Sequence, residues 1–426
     1  MKRALLLLVI ALSALVPIAV WVGTLVEGLP AGFYLYSAGR LLALVGFVFV
    51  FYQFVLSSRI RWLERDIGLD RMLAIHRITG IIALILLLVH PMFLLGSELA
   101  AGLVPAITPA KIVGAAGLTL LLAVAGAALL YRRLRWSYEA WKRIHLASYL
   151  VLPVGLLHSL VFGSDTAGGA LRIMWLALGA LYVAIVLSKL ARLLSVRRHP
   201  YAVAAVAQET HDTWSLQFDG RPVPHKPGQF LTLQLARRGR APESHPFTIC
   251  TSPASPRLGV TIKAVGDFTG TIRETTTQDR AYIDAPYGVF SFVNHDAERL
   301  VFIAGGIGIT PFISMLRYMR DNGIKRRVTL LWGNKTERDI AFRQELAEMV
   351  AAMPTLEVVH IMSAQPDWPG EKGYVTAELI QRRAPDVAQS QCFVCGPPGM
   401  MDKVLAALRE IGVPRRRVHY EKFSLR

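Results

Sequence analysis

Cysteine is almost missing from this chain: among 426 residues there are only Cys250, Cys392 and Cys395, all in the second half. No disulfide framework is expected. Cys392-Phe393-Val394-Cys395 has C-x-x-C spacing, but one such pair cannot complete a zinc site. Acidic side chains are also few, 30 against 47 Lys and Arg, for a formal charge of +17. In a soluble protein that excess would point to nucleic acid. Here the basic residues flank apolar runs, where they act as topology signals, and nucleic-acid binding is set aside. No D-x-[DN]-x-[DN]-G loop occurs, which argues against calcium control. Neither an inverted repeat nor broken midplane helices are visible, which argues against a transporter.

What is present falls into two regimes. Mean hydropathy is +0.41, but residues 1–195 are a series of apolar runs, while residues 200–426 have the mixed composition of a soluble protein. Six runs are long enough to cross a bilayer: about 4–26, 32–56, 72–96, 110–131, 138–162 and 168–194. The first follows Met-Lys-Arg, is too long for a signal peptide and lacks a clear cleavage site, so it is expected to be a retained helix. Basic residues crowd alternate loops: Arg59, Arg61, Arg65 and Arg71; Arg132, Arg133, Arg135, Lys142 and Arg143; Lys189, Arg192, Arg197 and Arg198. The intervening loops have almost nothing basic beyond Lys111 and Arg172. The positive-inside rule then predicts a multi-pass protein of the plasma or inner membrane with both termini cytoplasmic.

Two of the apolar runs each hold two histidines, His76 and His90 in one, His145 and His158 in the other. At ~1.5 Å rise per residue each pair is separated by about 20 Å, one ring toward each face of the bilayer. A lone histidine in a membrane helix is as often structural as functional. Four at matching depths fit two His–His clamps, a standard way to hold haem. A fourteen-residue spacing returns to within about 40° of one face, whereas thirteen residues miss by about 140°. The second helix is therefore expected to be irregular at Pro153. Arg40, near the outer end of its run, has two readings of equal weight: it snorkels to the interface, or it pairs with a haem propionate.

In the soluble half, short alternating runs from Tyr201 to Phe292 are divided by Gly and Pro, a pattern that predicts an antiparallel barrel. After Arg299, continuous apolar strands alternate with helices, which predicts a doubly wound parallel sheet of about five strands. Gly305-Gly306-Ile307-Gly308-Ile309-Thr310-Pro311 follows a strand and opens a helix, the place where phosphates meet backbone N–H groups. Pro311 replaces the last glycine of the full G-x-G-x-x-G fingerprint. The expected domains are 1–198, a six-helix di-haem membrane domain; 199–296, a barrel; and 297–426, an α/β nucleotide domain.

Taken together, the two histidine pairs, His245-Pro246-Phe247-Thr248, Lys263-Ala264-Val265-Gly266-Asp267-Phe268-Thr269, Gly306–Pro311, Cys395-Gly396-Pro397 and Phe423 resemble the NADPH oxidase and ferric reductase superfamily in a prokaryotic form. The resemblance runs from residue 76 to 423 in the family's order. It implies a ferric-reductase-like membrane domain followed by a ferredoxin-reductase-like FAD and NAD(P)H dehydrogenase. By the same resemblance His245, Pro246, Phe247 and Thr248 line the flavin, with Thr248 placed to hydrogen-bond the isoalloxazine. Lys263 stands where the family puts a cation for the FAD pyrophosphate, and Thr269, Gly270 and Thr271 open a short helix toward the same phosphates. Gly306, Gly308, Thr310 and Pro311 cradle the nucleotide, and Cys395, Gly396 and Pro397 border the nicotinamide. Phe423 is expected to cover the flavin as a gate; the plainer alternative is an ordinary core aromatic. Lys335 is basic at the end of the second strand, where no acid stands to bind a bare ribose hydroxyl.

The function so implied is transfer of electrons from cytosolic NADPH, with NADH as the alternative, through FAD and two b-type haems to an acceptor outside. Oxygen giving superoxide is the leading acceptor; a ferric chelate or a periplasmic protein is the runner-up. Bis-histidine ligation fills both axial positions of the metal, so oxygen would react without binding iron. The outer loops are short and lack the cysteines of animal oxidases, and no obligatory regulatory subunit is expected.

Overall fold

The computed structural model describes residues 2–25, 28–131, 133–136, 138–240 and 242–422. The chain divides into two compact units, residues 1–192 and 193–426.

The first unit is helical. Its elements are α1 (Lys2–Val22), α2 (Ala31–Ser57), the short α3 (Arg61–Ile67), α4 (Leu69–Ala100), α5 (Pro109–Leu130), α6 (Tyr138–Leu146), α7 (Ser148–Phe162) and α8 (Gly169–Arg198). Six apolar spans lie at Ala4–Val22, Ala31–Ser57, Arg71–Ala100, Pro109–Leu130, Ala140–Phe162 and Gly169–Arg198. Large apolar side chains such as Leu5, Ile85, Leu129, Leu150 and Ile173 are exposed along them, as a lipid solvent requires. This is a multi-pass membrane protein.

Between helices in lipid, small residues let backbones approach and gain dispersion contacts. α2 is the most enclosed helix and packs on α4 through Gly39 and Gly46. A Cβ on Gly39 would stand 3.1 Å from Phe93 and Leu94, and one on Gly46 would stand 2.8 Å from Leu87. α7 is held in the same way: Gly117 of α5 faces Val154, and Gly179 of α8 faces Leu156.

The second unit contains a barrel of β1 (Tyr201–Thr210), β2 (Thr213–Asp219), β3 (Phe230–Ala236), β4 (Ser244–Thr248), β5 (Leu258–Lys263) and β6 (Arg280–Tyr287), with a single turn of helix, α9 (Asp267–Gly270), after β5. The strand order is β4-β3-β6-β1-β2-β5, all antiparallel, and the bridge Ile249–Val260 brings the two edges together. β3 and β6 alternate buried and part-exposed residues, so Leu231, Leu233, Leu235, Ala281 and Ile283 fill the interior with Leu216, Phe218, Val260 and Ile262.

The rest of the unit alternates strand and helix: β7 (Arg299–Gly305), α10 (Thr310–Asp321), β8 (Arg327–Asn334), α11 (Arg343–Ala352), β9 (Leu356–Met362), β10 (Glu371–Lys372), α12 (Ala377–Arg383), β11 (Gln391–Cys395), α13 (Pro398–Glu410) and β12 (Val418–Glu421). The sheet is parallel in the order β10-β9-β8-β7-β11-β12. β7 is buried along nearly its whole length because helices cover both faces. The order reverses between β7 and β11, the switch point at which open α/β sheets bind ligands. The five expected strands are present, and β10 is one more, too short to leave a pattern in the sequence.

Candidate functional site

The four histidines lie on three helices. His76 and His90 share α4, His145 ends α6, and His158 sits in α7. The break between α6 and α7 falls at Ala147, not at the expected Pro153, which lies inside α7. Ala147 N–H donates to Ile144 O and Leu150 N–H to Ala147 O, both i→i−3 bonds. Each such step turns about 120° instead of 100°, which supplies part of the rotation that thirteen residues lack. Pro153 still deprives the Tyr149 carbonyl of its helical donor, and Tyr182 Oη replaces it at 2.5 Å.

The rings of His76 and His145 have centroids 6.3 Å apart, at 67°. An imidazole nitrogen bonds a metal at about 2 Å with its ring centre about 1 Å behind, so two rings on opposite sides of one metal stand roughly 6 Å apart. The pair fits that arrangement. Trp141 stacks against His145 at 5.2 Å. In the second pair, His90 Nδ1–H donates to Gly39 O at 2.8 Å, which leaves Nε2 as the nitrogen available to a ligand. His158 is seated against Gly114 of α5; a Cβ there would stand 3.0 Å from its ring. Midway along α2 between Gly39 and Gln53, Phe47 stacks on the fully buried Trp175 at 4.9 Å.

Arg40 follows Gly39 directly. Its guanidinium donates to Asp165 at 2.9 Å and to Thr24 Oγ1 at 3.1 Å. Burial lifts the Asp165 carboxyl above the ordinary carboxylate range, and Arg40 works against that lift. Neither reading of Arg40 from sequence anticipated a carboxylate of the chain itself.

On the barrel, β4 presents His245, Pro246, Phe247 and Thr248. Thr248 is 4% exposed and its Oγ1 has no partner among the described residues. A buried hydroxyl without a partner is costly, and a ligand that bonds it removes the cost. The Phe268 ring stacks on His245 at 4.2 Å. Thr269 Oγ1 accepts from the N–H groups of Val265 and Gly266, at 3.0 and 2.9 Å, so those donors are already used. Gly270 is exposed. Thr271 is held by Arg237, whose guanidinium donates to its carbonyl at 2.6 Å and to its hydroxyl at 2.8 Å. Arg237 was not singled out from sequence; it lies 34 residues away on a loop without a motif. Lys263 is committed elsewhere than the sequence suggests: its ammonium lies 3.1 Å from Asp212 and 3.5 Å from Asp339. Partial burial opposes ionisation of both acids. Lys263 and neighbouring threonine donors outweigh it and hold both carboxyls below the usual range.

At the switch point the two glycine-bearing loops interlock. A Cβ on Gly308 would collide with the Cys395 carbonyl and stand 2.8 Å from Gly396 Cα. Gly306 has φ +51°, and Trp332 Nε1 donates to its carbonyl at 3.0 Å. Thr310 Oγ1 donates to Ile307 O, and Pro311 opens α10, where no N–H is needed. Pro397 lies beside Gly305. Cys392 and Cys395, three residues apart on β11, belong to clusters on opposite faces of the sheet. Burial pushes the Cys392 thiol to about 12 and raises Cys395 as well, so neither is a reactive redox group. Lys335 is exposed at the end of β8. Beside it Asn334, 6% exposed, has both amide atoms without a partner among the described residues. Phe423 lies outside the described residues.

Residues 42–156 match the family described as ferric reductase like transmembrane component, residues 201–309 an FAD-binding domain, and residues 302–405 an oxidoreductase NAD-binding domain. The chain has the NADPH oxidase and ferric reductase-like architecture. This ferric-reductase-like chain is an oxidoreductase with flavin- and nicotinamide-nucleotide-binding domains. It is 29% identical over 239 residues to the glycine betaine monooxygenase reductase subunit of Chromohalobacter salexigens, covering 53% of this chain and 64% of that one. It is 31% identical over 241 residues to NADH-cytochrome b5 reductase 1 of Candida glabrata, covering 52% and 82%. The chain thus spans a little under two thirds of the first of these relatives. A flavohaemoglobin from Malassezia yamatoensis, with bound FAD and haem, superposes with a TM-score of 0.53 at 16% identity over 91% of this chain and 99% of that one. At that identity the likeness speaks to fold alone.

Proposed function

We propose that this protein takes electrons from cytosolic NADPH and delivers them across the membrane to oxygen, giving superoxide, with FAD and two b-type haems as resident cofactors. The cofactors supply the conversion of a two-electron hydride into single-electron transfers; the chain supplies their sites. The observation that carries this reading is the paired placement of four histidines in apolar helices, with one pair at a spacing that suits a shared metal.

His76 and His145 are the ligands on the side of the basic loops, and His90 and His158 those on the far side. Gly39 fixes the His90 tautomer, and Gly114 gives His158 its room. Thr248 offers its unpaired hydroxyl to the flavin. Gly306 and Gly308 bring backbone close enough for a pyrophosphate, and the N-terminus of α10 favours its charge. Lys335 meets the 2′-phosphate of NADPH.

The test is the haem content of purified protein. Wild type is expected to hold two haems per chain with a bis-histidine absorption spectrum. His76→Leu or His145→Leu should leave only the far-side haem, and His90→Leu or His158→Leu only the other. Retention of two haems by any of these variants would overturn the ligand assignment.

A further inference from the structure

At the end of the membrane unit that holds His90 and His158, acids of the chain neutralise two of the described cations. The described loops and helix ends there carry Glu98 and Asp165 against Arg40, Lys111 and Arg172. The described cations are all engaged. Arg40 and Asp165 lie 2.9 Å apart, with side chains 17% and 9% exposed. Lys111 Nζ donates to Glu98 at 2.7 Å. Arg172 donates to the carbonyls of Thr166 and Ala167. The opposite end is crowded with Arg and Lys. An anionic acceptor is drawn to a site by uncompensated positive charge, and like or absent charge forfeits that steering.

Arg40 directly follows Gly39, whose carbonyl fixes His90. Asp165 follows His158 by seven residues in a tight loop. Thr166, buried beside it, donates to Ser159 O and pins the loop to the end of α7. The ion pair therefore joins the helix that orients one ligand to the helix that carries the other.

We propose that Asp165 sets the acceptor class by neutralising Arg40, so that electrons leave this end to a small uncharged molecule and anionic iron chelates are disfavoured. The inference rests on the electron-transfer reading above and adds a charge rule to it. An oxidant such as dioxygen needs no steering charge, whereas ferric citrate does. With Asp165 neutral, one positive charge faces the approaching acceptor. At the separations of a vestibule in water, one such charge changes the encounter rate of a multivalent ion by about 3- to 10-fold.

The experiment compares wild type, Asp165→Asn and Asp165→Glu, purified with haem and flavin. The acceptors are oxygen, ferric citrate and the cationic complex hexaammineruthenium(III), each over a range of salt. In Asp165→Asn the ratio of kcat/KM for ferric citrate to that for oxygen should rise about 3- to 10-fold. That gain should fade with added salt, and the ruthenium ratio should fall. Asp165→Glu should keep the wild-type ratios. An unchanged ferric citrate ratio in Asp165→Asn with intact haem absorbance overturns the proposal. Should Asp165→Asn not fold, wild type alone decides: with Arg40 neutralised, ferric citrate kinetics should depend only weakly on salt, and a steep fall with salt overturns the charge rule. Failure of the electron-transfer reading looks different, since no haem absorbance and no acceptor-dependent NADPH oxidation would then appear in wild type.

Discussion

At the scale of single residues, the site is built from groups whose importance lies in what they lack. Gly308 lacks a Cβ, and a methyl there meets the Cys395 carbonyl head on. Backbone cannot step aside as a side-chain tip can, so the β7 and β11 loops must part. Gly308→Ala should weaken NADPH binding at least about fivefold, the effect of about 1–3 kcal/mol of overpacking, which a nucleotide titration of folded protein measures. Lys335 makes the opposite case. Its side chain is exposed at the proposed nucleotide site, so Lys335→Ala should raise KM for NADPH roughly 2- to 5-fold, the scale of an exposed charge contact, and leave NADH unaffected. Equal effects on both nucleotides would argue against a 2′-phosphate contact. The glycines and the basic residue were legible in the sequence because each belongs to a local motif. The partners of Lys263 and Arg40 were not. Asp212 and Asp339 come from distant stretches, and Asp165 lies 125 residues from Arg40. No spacing rule reveals a charge pair of that kind.

At the scale of elements, the membrane helices were readable from apolar length, and their number and bounds agree with the structure to within a few residues. The irregularity in the second histidine helix was readable as a need, from the mismatch of thirteen residues with the helical period, but its place was not. Proline marks a lost hydrogen bond, and here Tyr182 repairs that loss. The chain changes pitch instead at Ala147, which carries no local signal. Seating of the far-side histidine depends on a neighbouring helix: α5 meets the His158 ring at Gly114. Gly114→Val puts a branched side chain where the ring stands, and haem content should fall from two per chain toward one. Pyridine haemochrome quantitation would show it. Two haems retained in this variant would mean that α5 can yield and that the glycine serves packing alone.

At the scale of the whole molecule, the soluble unit is tied together by charge as well as by its cores. Lys263 at the end of β5 reaches Asp339 beside the nucleotide loop and Asp212 in the β1–β2 turn. Both acids have folded-state values below the ordinary one. Their stabilisation is therefore complete above the unfolded value, ~3.9, and is lost as pH falls through the folded value. Wild type should melt higher than Lys263→Met at pH 7, and the gap should narrow below about pH 4, as thermal unfolding followed by flavin fluorescence would reveal. A gap that persists at pH 3 would show that Lys263 acts through packing.

The apolar helices also have an electrical consequence. From Ile78 to Val89 on α4, and from Leu41 to Phe51 on α2, there is no acid and no base. Nothing along these stretches can hand a proton across in step with an electron. Turnover in the proposed direction is therefore a current: each electron that leaves carries uncompensated charge through the membrane voltage, about 2.3 kcal/mol for every 100 mV crossed. The first electrons run downhill out of a negative interior, later ones against the reversed potential that they have themselves built up. Sustained output then depends on how fast some other route lets protons follow.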